Sequence, residues 1–232
     1  MFVTLEGPDG GGKTTQAGLL VQRLNEAGHE ALGIHEPGGT DLGQHVRGIL
    51  VGRSWTGIDP WAEALLFSAC RAQLVAEVIR PALERGAIVV ADRFADSTLT
   101  YQGAGRGLNR EQLALLVDLA TGGLTPDLTL LLDVPAEIGI ARNRQPAEEP
   151  LRDPPSADAQ MTFFEELQLP AAWNRFENEA IAFHERVRGA YLDLVQSETE
   201  RWVVVDATAS VDEVANQIWK AVEERLSRGF SR

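Results

Sequence analysis

The chain has 232 residues, 44% of them hydrophobic, and a single cysteine, Cys70. That length buries one sizeable core and demands no second domain, so a single domain over residues 1–232 is expected. With 34 acidic against 21 basic side chains the formal charge is -13, which repels a nucleic-acid polymer but leaves room for a small basic pocket. A lone cysteine forms no internal disulfide, and residues 1–6 carry neither a basic n-region nor a long apolar stretch. A reducing cytoplasm, with no membrane contact, is the expected address.

In chain order, four short apolar runs read as buried strands: residues 2–5, 88–91, 128–132 and 202–205. Residues 31–35 form a weaker fifth. None alternates with polar residues, so both faces of each strand should be covered. Helical spacing appears at Ala17, Leu20, Val21 and Leu24, and again at Leu65, Leu66, Ala69 and Ala72, whose stripe should face the core. Strand alternating with helix predicts an α/β fold, a parallel sheet with crossover helices. Its ligands belong beyond the carboxyl ends of the strands, in the loops after Leu5, His35 and Ala91. Residues 146–170 are rich in proline and carboxylates, with Arg152 as the one basic residue, and read as a surface excursion. A long helix is expected from about residue 171, through Phe176, Ile181, Phe183, Val187, Tyr191 and Leu194.

Directly after the first strand and before the first helix stands Gly7-Pro8-Asp9-Gly10-Gly11-Gly12-Lys13-Thr14, followed by Thr15. The pattern G-x-x-x-x-G-K-T turns backbone N–H groups toward a triphosphate, brings lysine to its terminal phosphates and offers a threonine hydroxyl to magnesium. No N-K-x-D guanine-reading motif accompanies it. A small kinase needs a second site, in which arginines hold an acceptor phosphate opposite the donor. Asp92-Arg93-Phe94, at the end of a strand, supplies a carboxylate for a magnesium shell and a guanidinium for a phosphate. Ser97 to Leu108 then reads S-T-L-T-Y-Q-G-A-G-R-G-L.

With residues 2–16, 36–40 (E-P-G-G-T), 65–73 (L-L-F-S-A-C-R-A-Q) and 92–108 in this order, the sequence resembles bacterial thymidylate kinases. The resemblance implies a P-loop kinase fold: a five-stranded parallel sheet with helices on both faces and a lid over about residues 142–175. It implies that ATP, with Mg2+, phosphorylates dTMP to dTDP for dTTP biosynthesis. Asp9 would lie near the acceptor sugar and phosphate, Glu36 and Pro37 would form the acceptor wall around a bond that can be cis, and Arg47 would meet the acceptor phosphate. Phe67 would stack on thymine, Arg71 would reach its O4 edge, and Arg93 would clamp the phosphate. Thr98 would touch the base edge, Tyr101 would exclude a ribose hydroxyl, and Ser97 and Gln102 complete the acceptor set. Because Gly10 stands where some members carry a loop arginine, Arg142 and Arg144 would bring positive charge from the lid. A homodimer is implied too.

Four features depart from that pattern. Cys70 replaces an aspartate, His35 an arginine and Asn174 the aspartate of Asp-Arg-x-Glu, and the stretch before Asn174 is longer and more acidic. Two alternatives stay open at this stage: a kinase for another nucleoside monophosphate or a deoxynucleoside, and a nucleotide-binding regulator without turnover. A panel of acceptors separates the first, ADP release with dTMP the second.

Overall fold

The computed structural model describes residues 1–51, 57–143, 176 and 179–228. The apolar runs are its strands, each carried one residue further except the second: β1 Phe2–Glu6, β2 Ala31–His35, β3 Ile88–Asp92, β4 Leu128–Asp133 and β5 Trp202–Asp206. They form one parallel sheet in the order β2-β3-β1-β4-β5. Central β1 pairs with β3 on one side and β4 on the other. The connections diverge at β1, which opens a crevice beyond its carboxyl end.

The helices are α1 Lys13–Glu26, α2 Asp41–Val51, α3 Pro60–Leu74, α4 Arg80–Glu84, α5 Ala95–Thr98, α6 Arg110–Thr121, α7 Ala136–Asn143, α8 Ile181–Ser197 and α9 Val211–Ser227. Side chains alternate across β1, so the sheet has two apolar faces to cover. Val3 and Leu5 pack with Leu20 and Leu24 of α1 and with Val214 and Ile218 of α9. On the other face Phe2 and Val89 meet Leu74, Ile79 and Leu83, while Leu131 and Trp202 meet Val187, Tyr191 and Leu194 of α8. Helices therefore cover both faces, except at edge strand β5, where Val204 is 46% exposed. Asp59 caps α3 by accepting from the amides of Trp61 and Ala62, with Pro60 in the first turn. The π-helical turn Val75–Ile79 joins α3 to α4, whose second residue, Pro81, has no N–H to give a regular ladder.

Two expectations are corrected. The Leu65, Ala69, Ala72 stripe of α3 faces outward, Leu65 being 55% exposed, while Glu63, Ser68 and Arg71 face inward beside Ala64 and Leu74. Glu63 and Arg71 have partners inside, which removes the cost that makes polarity a marker of the surface. The long helix begins at Ile181, not near residue 171; ahead of it Glu179 N donates to Phe176 O at 3.0 Å in a turn. No described helix is long and apolar enough to cross a membrane.

Candidate active site

The glycine-rich loop leaves β1 at Gly7 and enters α1 at Lys13. Gly7, Gly10 and Gly12 have φ of 137°, 77° and 80°, values open to glycine and strained for other residues. Space is as restrictive as angle: a Cβ on Gly7 would meet Leu132 O at 2.4 Å, and one on Gly10 would meet Gly139 O of α7 at 2.1 Å. Lys13 is buried and its Nζ donates to Pro8 O at 2.7 Å. Burial, and then repulsion from Arg93, lower its pKa to about 8.

Across the crevice, at the end of β3, Thr14 Oγ1 donates to Asp92 Oδ2 at 2.5 Å. Arg93 follows with φ of 70°, a left-handed backbone on a non-glycine residue. Its Nη1 donates to Gly7 O at 3.1 Å and Ser97 Oγ at 3.2 Å, while Nη2 donates to Tyr101 Oη at 2.9 Å and pairs with Asp9 Oδ1. Burial raises the Asp9 carboxyl, but Arg93 and Lys13 outweigh it and hold the group below its usual range. Asp9 Oδ2 is buried without a hydrogen-bond partner among the described residues, 4.0 Å from Nδ1 of His184.

The acceptor candidates line one cleft of about 450 Å³ together with Gly10, Gly12, Lys13, Thr14, Thr15 and Asp92. Phe67 and Tyr101 stand on its wall, Arg47 Nη1 donates to Pro37 O at 2.7 Å, and the Glu36-Pro37 bond is cis. Gln102 Nε2 is bound to Glu63 Oε1 at 2.8 Å. Arg71 is 1% exposed and heavily engaged: Nε donates to Glu36 Oε2 at 2.9 Å, Nη1 to Thr98 Oγ1 at 3.0 Å and Nη2 to Phe94 O at 3.0 Å. Its first task in this cleft is thus to tie β2, β3 and α5 together. His35 is held neutral, its pKa lowered to about 4 by burial and by Arg47.

Some expected residues stand elsewhere. Gly7, Pro8 and Gly11 belong to the glycine-rich loop but are not among the residues that line the cleft. Arg142, at the end of α7, turns its guanidinium onto backbone, donating to Ala207 O at 2.7 Å and Gly10 O at 3.4 Å, and does not line the cleft. Arg144, Arg152, Asn174, Arg175 and the 146–170 segment lie outside the described residues. Phe176, read from the sequence as helix core, instead lines the cleft, with its ring 6.2 Å from Phe67 and 5.8 Å from Tyr101. Arg106 holds it there: its guanidinium lies 5.3 Å from the Phe176 ring and 5.0 Å from Phe183, and bonds to Glu63 and Glu179. An aromatic residue before a helix carries no local signal for this. Glu6 and His184 were also missed, because each looks in sequence like an ordinary strand or helix residue.

Comparison with known proteins agrees with this geometry. A family model described as thymidylate kinase matches residues 5–218. The thymidylate kinase of Thermomicrobium roseum is 48% identical over 228 residues, covering 98% of this chain and 97% of its own. That of Deinococcus radiodurans is 46% identical, with 97% of both chains covered. The crystal structure of thymidylate kinase from Ehrlichia chaffeensis superimposes with a TM-score of 0.71 at 28% identity, over 96% of this chain and 98% of the other. A glycine-rich loop facing an arginine-lined cleft on this sheet, matched over nearly its whole length, places the chain in the thymidylate kinase family, enzymes that phosphorylate thymidylate.

Proposed function

We propose that the chain transfers the γ-phosphoryl group of ATP to dTMP with the help of Mg2+, giving ADP and dTDP by in-line attack of an acceptor phosphate oxygen. The observation that carries this is the convergence of the glycine-rich loop and the Arg93 guanidinium on one cleft. Lys13 takes the terminal donor phosphates. Arg93 and Arg47 take the acceptor phosphate, and Phe67, with Phe176 packed beside it, faces the base. Tyr101, bonded to Arg93, fills the space beside the sugar. The attacking oxygen is already ionised, so positioning and charge carry the catalysis and no strong base is required.

Thr14 and Asp92 fit Mg2+: a hydroxyl and a carboxylate, both hard oxygen donors, sit together at the cleft mouth. With two protein ligands, such an ion would take its remaining ligands from water and phosphate. When bound, Mg2+ would neutralise charge on the donor phosphates. Arg142, bonded to Gly10 O, braces the loop in this form; delivery of charge by Arg142 and Arg144 remains part of the proposal for the loaded enzyme. The family likeness and the outward Leu65, Leu115 and Leu119 of neighbouring α3 and α6 support a homodimer. The one free cysteine accords with a cytoplasmic location.

The test is initial rates with ATP and Mg2+ against dTMP, dUMP, AMP, CMP and thymidine. dTMP should be the preferred acceptor. A faster reaction with thymidine or AMP, or no ADP release with any acceptor, overturns the reading.

A further inference from the structure

Glu6, the last residue of β1, is 0% exposed and is not itself among the residues that line the cleft, yet both ends of Arg93 lead back to it. Its Oε1 accepts from the backbone amide of Phe94 at 2.8 Å, directly after the left-handed turn at Arg93. On the other side of that turn Arg93 N donates to Leu5 O at 3.0 Å. Glu6 Oε2 accepts from Ser97 Oγ at 2.6 Å and from Tyr191 Oη at 2.8 Å. Those same hydroxyl oxygens face Arg93 Nη1, Ser97 at 3.2 Å and Tyr191 at 3.5 Å.

A hydroxyl has one hydrogen and two lone pairs. When Ser97 and Tyr191 both spend their hydrogens on Glu6, they present only lone pairs to the guanidinium, which has only hydrogens to give. We propose that Glu6 is a positioning residue for the acceptor clamp: through the Phe94 amide it holds the strained backbone of Arg93, and through the Ser97 and Tyr191 hydroxyls it aims the guanidinium. The proposal rests on the reading of Arg93 as that clamp. Burial raises the Glu6 carboxyl to about 7, with Asp96 adding to the rise, so the three donors and Arg93 oppose a real desolvation cost.

Glu6→Gln preserves shape but breaks this pattern. If the amide nitrogen faces Phe94 N, donor meets donor. If it faces the hydroxyls, one of them donates to the other, 2.9 Å away, and the hydrogen left over points at the guanidinium. E6Q should raise KM for dTMP about tenfold or more while KM for ATP stays within about twofold, since the contact of Lys13 Nζ with Pro8 O in the donor loop passes through neither Glu6 nor Arg93. Tyr191→Phe removes one hydroxyl and should raise KM for dTMP about threefold. The double variant E6Q/Y191F should be no worse than E6Q alone, because both act through one route. Equal rises in both KM values, a loss confined to thermal stability, an unchanged KM for dTMP in Y191F, or additive effects would each overturn the proposal; should E6Q not fold, Y191F decides alone. Arg93→Lys separates the layers. If R93K leaves KM for dTMP unchanged, the clamp reading fails; if R93K raises it while E6Q and Y191F do not, only the positioning role of Glu6 fails.

Discussion

Arg71→Met tests the buried tie beneath the base pocket. The Arg71 and Glu36 side chains are 1% and 3% exposed, with Nη2 2.7 Å from Oε2, and the guanidinium also holds Thr98 Oγ1 and Phe94 O. Met fills comparable volume but leaves the Glu36 carboxylate buried beside an apolar chain. Breaking such a pair from one side costs about 3–5 kcal/mol. For a chain of this size each kcal/mol lowers Tm by about 2–4 °C, so Tm should fall by roughly 6–20 °C at pH 7.5. Glu36 escapes part of that cost by taking a proton, and burial already raises it above its usual value of 4.5. A carboxyl whose folded pKa is raised favours folding at low pH and opposes it as pH rises, so the loss must shrink on acidification. Two pH units at 1.36 kcal/mol each bound the recovery between pH 7.5 and 5.5 at about 3 kcal/mol. Thermal unfolding followed by circular dichroism at both pH values measures it. Glu36→Met in the R71M background should restore most of the stability, since no buried charge is then left alone. A fall below about 2 °C at pH 7.5, or a double variant as unstable as R71M, refutes the reasoning.

Lys13→Ala should cut turnover by about three orders of magnitude or more with Tm changed little, because among the described residues its ammonium makes one hydrogen bond, to Pro8 O; steady-state rates within threefold of the parent would remove it from the donor site. The Lys13 ammonium has a pKa of about 8 in the free chain, and a bound triphosphate must favour its charged form. ATP binding should therefore take up a proton and weaken as pH rises above 8; calorimetry in buffers of different ionisation enthalpy that shows no uptake at pH 8.5 would contradict this. Tyr101→Ala should narrow the preference for dTMP over its ribonucleotide counterpart, and an unchanged ratio of kcat/KM values would place the ring away from the sugar.

Four strands were legible because a strand covered on both faces is largely apolar, a pattern that survives in a single sequence; edge strand β5 was legible by the same apolar run although Val204 is exposed. The glycine-rich loop was legible for a related reason: positive φ and close backbone approach leave few residue choices. Leu65 and Arg71 mark where this reading stops. Periodicity ranks side chains by polarity, so it turned α3 inside out, since Arg71 and Glu63 are buried against partners far away in sequence. Phe176 was hidden in the same way, since its place beside Phe67 depends on Arg106. The resemblance supplied most of the cleft residues, but it could not say that Arg71 is already bonded to Glu36, or that Arg142 rests on Ala207 and Gly10.

The contact between Gly10 and Gly139 bears on how such an enzyme can change over evolutionary time. A Cβ on Gly10 would strike the Gly139 carbonyl at 2.1 Å, and a Cβ on Gly139 would strike Asp9 O at 2.2 Å. An arginine at position 10 of this chain meets two obstacles at once: the backbone of α7 occupies the space, and φ of 77° disfavours any side chain. Placing a cation in the loop therefore requires α7 to shift as well. A loop arginine and a displaced α7 would thus have to arrive together. A Gly10→Arg variant of this chain should be inactive, while the same arginine transplanted together with a relative's α7 should function.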